Sequence, residues 1–359
     1  MLYSLLISLP MMMCLFWTIF FLIRSILGSD EPRIKWTILL FYIASTILYT
    51  NHWLFFSNAE TPLGTYTYFI ANLSVYPIYY LYLRALTRTK FTRDNCFSFI
   101  PAVLVALFFP LNLHFGWLSG DTLFLFVRIC FAIQVIGVWI SCFRLLRATR
   151  QRLDNTYADN RSYVLQPTLS LLILIGVTAC ASILQDLLGR EMFDGSLLVY
   201  IPAVLMSALL YGLGYVAAHT TLPKETVAQE EEQEQTRIAT TAESDELMYK
   251  IGTIMREKQL FTNPHLTIQD LAVAVGSNRT YVSNCINRCT GYSFSQYVAR
   301  YRVEHAQQVL LNPKYNSDHD AIADAAALSG FSSDQTFYRV FKDITGLTPL
   351  LYRQQNRQK

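Results

Sequence analysis

The sequence is short of charge. Only 15% of its 359 residues are Asp, Glu, Lys or Arg, whereas 52% are hydrophobic, and an ordinary soluble domain has about 25% charged residues. The net charge of +3 is too small to identify a partner. Because the long apolar runs stop before His219, the two parts of the chain are expected to belong to different structural classes.

Motifs of catalytic and metal sites are also missing. The seven cysteines are scattered without a CxxC or Cys/His pattern, which argues against a disulfide framework and against a zinc site. The sequence contains no HExxH, no GxSxG and no phosphate-binding glycine loop,. We therefore expect no enzymatic activity, no metal and no cofactor.

Apolar runs of about 20 residues, the length of helix that crosses a bilayer core, follow one another through residues 1–218. The first run has neither a positively charged start nor a small-residue cleavage site, so we interpret it as a retained span and not as a signal peptide,. The pattern predicts an all-α fold that begins with a seven-helix transmembrane bundle. The predicted spans are Leu2–Ile23, Trp36–Phe56, Tyr66–Leu86, Phe97–Phe115, Leu123–Phe143, Leu165–Leu188 and Leu197–Ala218.

The charges of the connecting loops alternate. The first, third and fifth loops carry twelve Lys or Arg residues in total, and the second, fourth and sixth carry one, Arg190. Lys and Arg are retained on the cytoplasmic side of a membrane. The alternation therefore predicts a multi-pass protein of the cytoplasmic (inner) membrane, with its N-terminus outside and its C-terminus in the cytoplasm.

Polar residues within the spans are costly in lipid and usually face the interior of a bundle. In the predicted orientation all of them except Gln134 fall in the outer half, where they either form a pocket for a ligand from outside or lie among lipid headgroups. Arg128 and Asp186 are expected to form an ion pair there. The candidate pocket residues are Asn51, His52, Asn72, His114, Arg128, Gln185 and Asp186.

A polar connector follows the last span. Residues 219–244 include QEEEQEQ, whose like charges repel one another, and they show no sustained heptad,. We interpret them as an acidic linker between a membrane domain, 1–218, and a soluble domain, 245–359.

The soluble domain carries strong helix signals. Ser244 is expected to cap its first helix, and Thr267, with Asp270 three residues later, predicts a capped helix that Gly276 ends,. Asn278 is the expected cap of the next helix. This arrangement of helix, short turn and helix is the kind that places its second helix in the DNA major groove.

A second unit of the same kind lies about 55 residues further on. Gly330 marks its turn, Ser332 or Ser333 is the expected cap of its second helix, and a long helix, Phe294–Leu311, joins the two units. A single such unit is more often an ordinary helical hairpin, but two in tandem favour DNA binding. The candidate DNA-binding residues on the outward faces are Arg279, Thr280, Ser283, Asn284 and Asn287, and then Asp334, Gln335, Thr336, Arg339 and Lys342,.

The second unit resembles the DNA-binding domain of AraC/XylS-type transcription regulators. The first unit is similar to the family too, except that Ile286 and Asn287 stand where the family usually has Phe-Lys, so we expect it to hold DNA less firmly. Ala325 and Ser329 replace larger apolar residues, and we expect looser packing there. Within IADAAALSGFSSDQTFYRVFKDITGLTPLLYR the resemblance depends on Gly330, Phe331, Phe337, Arg339, Phe341, Lys342, Gly346, Pro349, Tyr352 and Arg353.

The resemblance covers about 110 residues and implies sequence-specific binding of double-stranded DNA. With the spans, it predicts a membrane-integrated one-component transcription regulator in contact with DNA and the lipid bilayer. A small-molecule ligand from outside, RNA polymerase and a second copy of the chain are further candidate partners. Two alternatives stay open: proteolysis in the linker releases a stored DNA-binding domain, or the chain is a seven-helix transporter or receptor with a protein-interaction tail.

Overall fold

The computed structural model describes residues 2–28, 31–57, 59, 61–117, 119–159, 165–188, 200–220, 241–314 and 317–357. Over these ranges the regular structure is helical, which confirms the expected class, and an isolated antiparallel bridge joins Tyr157 to Thr267. The chain divides into two compact units, residues 1–147 with 164–223 and residues 148–163 with 224–359. Segment 148–163 therefore folds with the C-terminal unit.

A helix corresponds to each predicted span. Within the described residues, four stretches are long and apolar enough to cross a membrane, namely Leu5–Leu27, Pro32–Phe56, Thr122–Thr156 and Pro202–His219, so the full set of seven spans stays a prediction. The helices are α1 (Leu2–Leu27), α2 (Pro32–Phe56), α3 (Pro62–Leu86), α4 (Ile100–Phe115, after a 3-10 helix at Arg93–Phe99), α5 (Gly120–Thr156), α6 (Gln166–Leu188) and α7 (Tyr200–His219).

Helix α5 is longer than its predicted span. It continues past Phe143 to Thr156, because the residues that follow include several Arg and Leu but no Gly or Pro, and Arg and Leu are good helix formers. Four of the arginines expected in the fifth loop, Arg144, Arg147, Arg150 and Arg152, thus lie on the end of a helix, and Arg161 lies outside the described residues.

In the N-terminal compact unit, side chains of one helix form hydrogen bonds to the backbone of helices that are distant in sequence. Tyr42 donates a hydrogen bond to the Leu210 carbonyl at 2.7 Å, and Trp139 donates to the Leu172 carbonyl at 3.1 Å. The Gln134 amide donates to the carbonyls of Leu73 at 2.8 Å and Ser98 at 2.6 Å. These bonds hold α2 to α7, α5 to α6, and α5 to α3.

The C-terminal compact unit contains seven α-helices in its described part, residues 241–314 and 317–357. Its expected first cap is wrong, because the first helix begins at Thr241, before Ser244, and Ser244 is buried within it. The helices are α8 (Thr241–Glu257), α9 (Ile268–Val275), α10 (Arg279–Thr290), α11 (Phe294–Leu310), α12 (Asp318–Leu328), α13 (Asp334–Thr345) and α14 (Pro349–Arg357), with a 3-10 helix at Leu260–Thr262 after α8.

Two apolar cores lie along α11. The first is built by α8, α9, α10 and the start of α11, with Ile251, Leu271 and Val298 fully buried. The second is built by the end of α11 with α12 and α13, around Phe337 and Phe341. Each helix–turn–helix unit therefore has its own core, and α11 contributes to both.

The second core buries the two small residues at which looser packing is expected. Ala325 and Ser329 are both fully buried. His305 Nδ1 lies 3.0 Å from the Ser329 hydroxyl, which satisfies that buried polar group. Burial does not measure packing density, so the expectation of looser packing at these positions stays a prediction.

Candidate nucleic-acid interface

The first helix–turn–helix unit is formed by α9 and α10. Thr267 and Asp270 form the expected capping box at the start of α9, and Gly276 ends that helix with φ at 69°, a left-handed conformation that glycine adopts readily,. Asn278 caps α10 through the Tyr281 amide, which donates to its Oδ1 at 2.7 Å. The three caps fix the angle at which α10 leaves the turn.

Helix α10 has the polar outer face that its sequence predicts. Its inner face is buried at Val282, Cys285 and Ile286. Asn284 is exposed, and the other candidate contacts on this helix are partly exposed: Arg279, Thr280, Ser283 and Asn287.

The second unit is formed by α12 and α13. Of the candidate contacts on α13, Asp334, Gln335, Arg339 and Lys342 are exposed, whereas Phe337 and Phe341 are buried. Two cations and an amide are thus presented on one side of α13, opposite the apolar core.

The prediction that Thr336 lies on the outward face is wrong. Its side chain is only 7% exposed. The hydroxyl of Ser333, which caps α13, accepts a bond from the Thr336 amide at 3.3 Å and donates to the Thr336 hydroxyl at 3.0 Å. The first turn of α13 thus uses Thr336 to build its cap, and the cap residue is Ser333 of the two serines considered.

The turn of the second helix–turn–helix unit packs against the residues just before the first helix–turn–helix unit. Gly330 has φ at 79°, and a Cβ atom on it would lie 2.5 Å from the carbonyl oxygens of both Phe261 and Thr262. Only glycine fits such a close approach of two backbones. This contact fixes the turn before α13 on the 3-10 helix that precedes α9.

A buried arginine reinforces the same junction. Arg302 of α11 is 2% exposed and donates from Nε to the Phe261 carbonyl and from Nη2 to the Asn263 carbonyl, both at 2.8 Å. Burial lowers the pKa of Arg302 to about 10, a shift that the nearby Asp159 carboxylate opposes. The guanidinium is therefore charged at neutral pH and is held inside the protein.

Arg353 of α14 has a similar position in the second unit. It is 1% exposed, donates from Nε to Asp318 Oδ1 at 2.8 Å and bonds to the Leu310 carbonyl. Arg353 is one of the residues on which the family resemblance depends, and in this structure both arginines join helices and are buried.

The candidate pocket residues of the N-terminal compact unit are only partly brought together. Asn51 donates to the Thr67 hydroxyl at 3.2 Å, and the His52 ring stacks on Tyr68 with 6.0 Å between centroids, so both face α3. Asn72 is half-buried, and His114 and Arg128 are exposed. The side chains of Gln185 and Asp186 lie outside the described residues.

A cavity of about 660 Å³ lies elsewhere in the same unit. Its lining includes Tyr80, Arg84, Ser98, Gln134 and Ser141 instead of the candidate residues. Gln134 is 7% exposed, and its Oε1 atom accepts no hydrogen bond from the residues that the structure describes. Over the parts of the chain that the structure describes, no group of three or more His, Cys, Asp or Glu residues is placed to hold a metal ion.

Two helix–turn–helix units that share a central helix, each with a polar second helix, define a DNA-binding domain. Residues 271–355 match the family model described as a helix-turn-helix domain, and this region is an AraC-type domain of the kind that serves transcription regulation and not catalysis.

Relatives match over the same region. The melibiose operon regulatory protein of Escherichia coli (strain K12) is 33% identical over 95 residues, 26% of this chain and 30% of the relative. The uncharacterized HTH-type transcriptional regulators YtdP and YisR of Bacillus subtilis (strain 168) are 35% identical over 92 residues and 32% identical over 87 residues. These matches cover 26% and 24% of this chain, and 11% and 29% of the relatives. The chain thus spans less than a third of each relative's length, and no solved structure matches it.

Proposed function

We propose that the chain is a membrane-integrated one-component transcription regulator. Its seven N-terminal helices lie in the cytoplasmic membrane, and its AraC-type domain binds double-stranded DNA in the cytoplasm. The observation that carries the proposal is the presence, in one chain, of a helix-turn-helix domain at residues 271–355 and of four helices long and apolar enough to cross a membrane.

The polar faces of α10 and α13 are the proposed reading surfaces. Arg339 is exposed on α13 and is suited to a guanine edge, since a guanidinium pairs with guanine through two hydrogen bonds. Lys342, one turn closer to the helix end, is suited to a phosphate. Asn284 on α10 is suited to an adenine edge.

Signal reception is the proposed role of the membrane unit. The candidate pocket at Asn51, His52, Asn72, His114, Arg128, Gln185 and Asp186 faces a ligand from outside in the proposed orientation. The cavity beside Gln134 is a second candidate, because about 660 Å³ lies within the range of small-molecule sites and the free Oε1 atom offers an acceptor. RNA polymerase and a second copy of the chain remain proposed partners.

Cell fractionation combined with DNA crosslinking tests the proposal. Cells expressing the full chain with a C-terminal tag are crosslinked, membranes are separated, and DNA bound to the tagged chain is sequenced. We expect discrete DNA segments in the membrane fraction, weaker and less selective enrichment of them with Arg339→Ala, and unchanged enrichment with the control Arg256→Ala, an exposed arginine of α8.

The same experiment separates the two alternatives. A shortened tagged chain that binds DNA only in the soluble fraction would support release by proteolysis. A full-length chain in the membrane with no enriched DNA would support a transporter or receptor with a protein-interaction tail.

A further inference from the structure

A short segment after α5 is buried in the C-terminal unit. Tyr157 and Ala158 are each 3% exposed and Asp159 is 9% exposed, although the sequence places them in the arginine-rich fifth loop. We name Tyr157–Asp159 the docking segment. It folds with the C-terminal unit more than 100 residues before α9 in the chain.

The first part of the docking segment contacts the first helix–turn–helix unit. Tyr157 pairs with Thr267, the cap of α9, in an antiparallel bridge. The Ala158 amide donates to the Leu266 carbonyl at 2.9 Å. The Ala158 carbonyl accepts from the Ser295 hydroxyl, at the start of α11, at 3.4 Å.

The last residue of the docking segment contacts the second unit. Asp159 Oδ2 accepts a hydrogen bond from the Ser332 hydroxyl at 2.6 Å, and Ser332 lies in the turn that leads into α13. The Asp159 carboxylate also attracts the buried guanidinium of Arg302. One segment of three residues therefore contacts both helix–turn–helix units, and its carboxylate favours the charged form of the arginine buried in the helix that joins them.

We propose that the docking segment holds the two helix–turn–helix units in the arrangement that binds DNA, and that it is the route by which the membrane unit acts on the DNA-binding domain. The inference deepens the proposed function and rests on it. The segment continues directly from α5, whereas the acidic linker precedes α8 in the chain. Movement at the end of α5 would withdraw the docking segment. The second helix–turn–helix unit would then no longer be held against the first.

Preorganisation gives the expected direction of the effect. When two units are already fixed relative to each other, less conformational entropy is lost on binding DNA. The hydrogen bond from Ser332 to a carboxylate is of the charge-assisted kind, which is stronger than a neutral one. Docking should therefore raise the affinity for DNA, and undocking should lower it.

Disulfide trapping tests whether the contact forms in the full chain in lipid nanodiscs. Exposed Cys96, Cys180 and Cys289 are replaced by Ser, a protease site is inserted in the linker, and the pair Tyr157→Cys with Thr267→Cys is oxidised. Paired residues on adjacent strands lie within disulfide range. The cleaved halves should stay joined on a non-reducing gel, whereas the control pair Gln151→Cys with Thr267→Cys should separate. Separation of both pairs, or equal joining of both, would overturn the proposal.

A double-mutant cycle tests the effect on DNA. The probe is a duplex selected by the full-length wild-type chain from a random library. We expect Asp159→Ala to lower its affinity about tenfold, the scale of a charged hydrogen bond, and Ser332→Ala in the Asp159→Ala background to add almost nothing, since the two residues share one bond.

The possible outcomes separate the two proposals. Fully additive losses, or no loss with Asp159→Ala, would overturn the role of the docking segment while DNA binding stands. Failure of the wild-type chain to select any duplex would overturn the proposed function, whatever the result of the disulfide trapping.

Discussion

The guanidinium of Arg302 lies over the ring of Phe331, with 5.8 Å between the guanidinium carbon and the ring centroid. Arg302 belongs to the helix shared by both cores, and Phe331 belongs to the turn of the second unit. The same guanidinium donates to Phe261 and Asn263 of the first unit. A single buried cation thus links the two units that are expected to read DNA.

Replacing Arg302 should loosen this junction strongly. In Arg302→Ala the carbonyls of Phe261 and Asn263 lose their donor, and we expect the C-terminal unit to be destabilised by about 3 kcal/mol. Hydrogen exchange of the full-length protein measures this as roughly 100-fold faster exchange of the most protected amides in α9 to α13. Arg300→Ala is the control: Arg300 is exposed, lies 4.0 Å from the Tyr292 ring centroid, and should cost about 1 kcal/mol or less. Equal effects of the two changes would contradict the role of Arg302.

Gly330 should tolerate substitution much less than Gly346. Both residues have positive φ, 79° and 78°, so alanine is strained by about 1–2 kcal/mol at either position. Of the two, only Gly330 lies against another backbone, because a Cβ atom on Gly346 would meet no other described atom within 4 Å. We expect Gly330→Ala to lower the thermal midpoint of the C-terminal unit at least twice as far as Gly346→Ala. Similar midpoints would show that the turn can move away from Phe261.

The local features of the C-terminal unit were predictable, and its long-range contacts were not. Thr267 with Asp270, and glycines at the helix ends, predict boundaries because caps depend on neighbouring residues. The contact of Ala158 with Ser295 joins residues 137 positions apart, and no local pattern indicates it. Arg302 and Arg353 have the sequence appearance of surface charges, yet carbonyl acceptors allow both to be buried.

The candidate DNA-contacting residues could also be predicted only in part from the sequence. Helical periodicity predicts the exposed positions Arg339 and Lys342 correctly, because they lie opposite Phe337 and Phe341. The outward placement of Thr336 is wrong because Thr336 lies one turn before the partly buried Val340, on the inner face of α13, where its hydroxyl accepts a hydrogen bond from Ser333. The apolar run of the fifth span ends at Phe143, whereas α5 continues to Thr156, because apolar periodicity locates the membrane-spanning part of a helix and not its end.

Acid should weaken the C-terminal unit through His305. Burial lowers the pKa of His305 below its ordinary value, so the folded protein binds fewer protons than the unfolded chain near pH 6.5. Stability therefore rises with pH and is lost as the pH falls through about 6.5, the ordinary pKa of histidine. We expect a lower thermal midpoint at pH 5.5 than at pH 7.5, and a smaller difference in His305→Gln. The exposed His265 provides the control, since His265→Gln should retain the full difference.

Reporter fusions should reveal alternating sides of the membrane. Because the odd loops carry twelve Lys and Arg residues and the even loops one, fusions after Gly64, Asp121 and Asp194 should report the outside. Fusions after Asp94, Asp159 and Lys359 should report the cytoplasm. A reporter after Lys359 that is active only outside would exclude contact between this domain and chromosomal DNA.

Selection of DNA by the full-length chain in lipid nanodiscs tests the central claim most directly. The chain is incubated with a random duplex library, and bound duplexes are amplified and sequenced. The account predicts a shared sequence, relaxed specificity at one position in Arg339→Ala, and in Lys342→Ala a uniform loss with a salt slope reduced by about one. Recovery of no shared sequence, or selection unchanged in both variants, would contradict DNA reading by α13 of a membrane-embedded regulator.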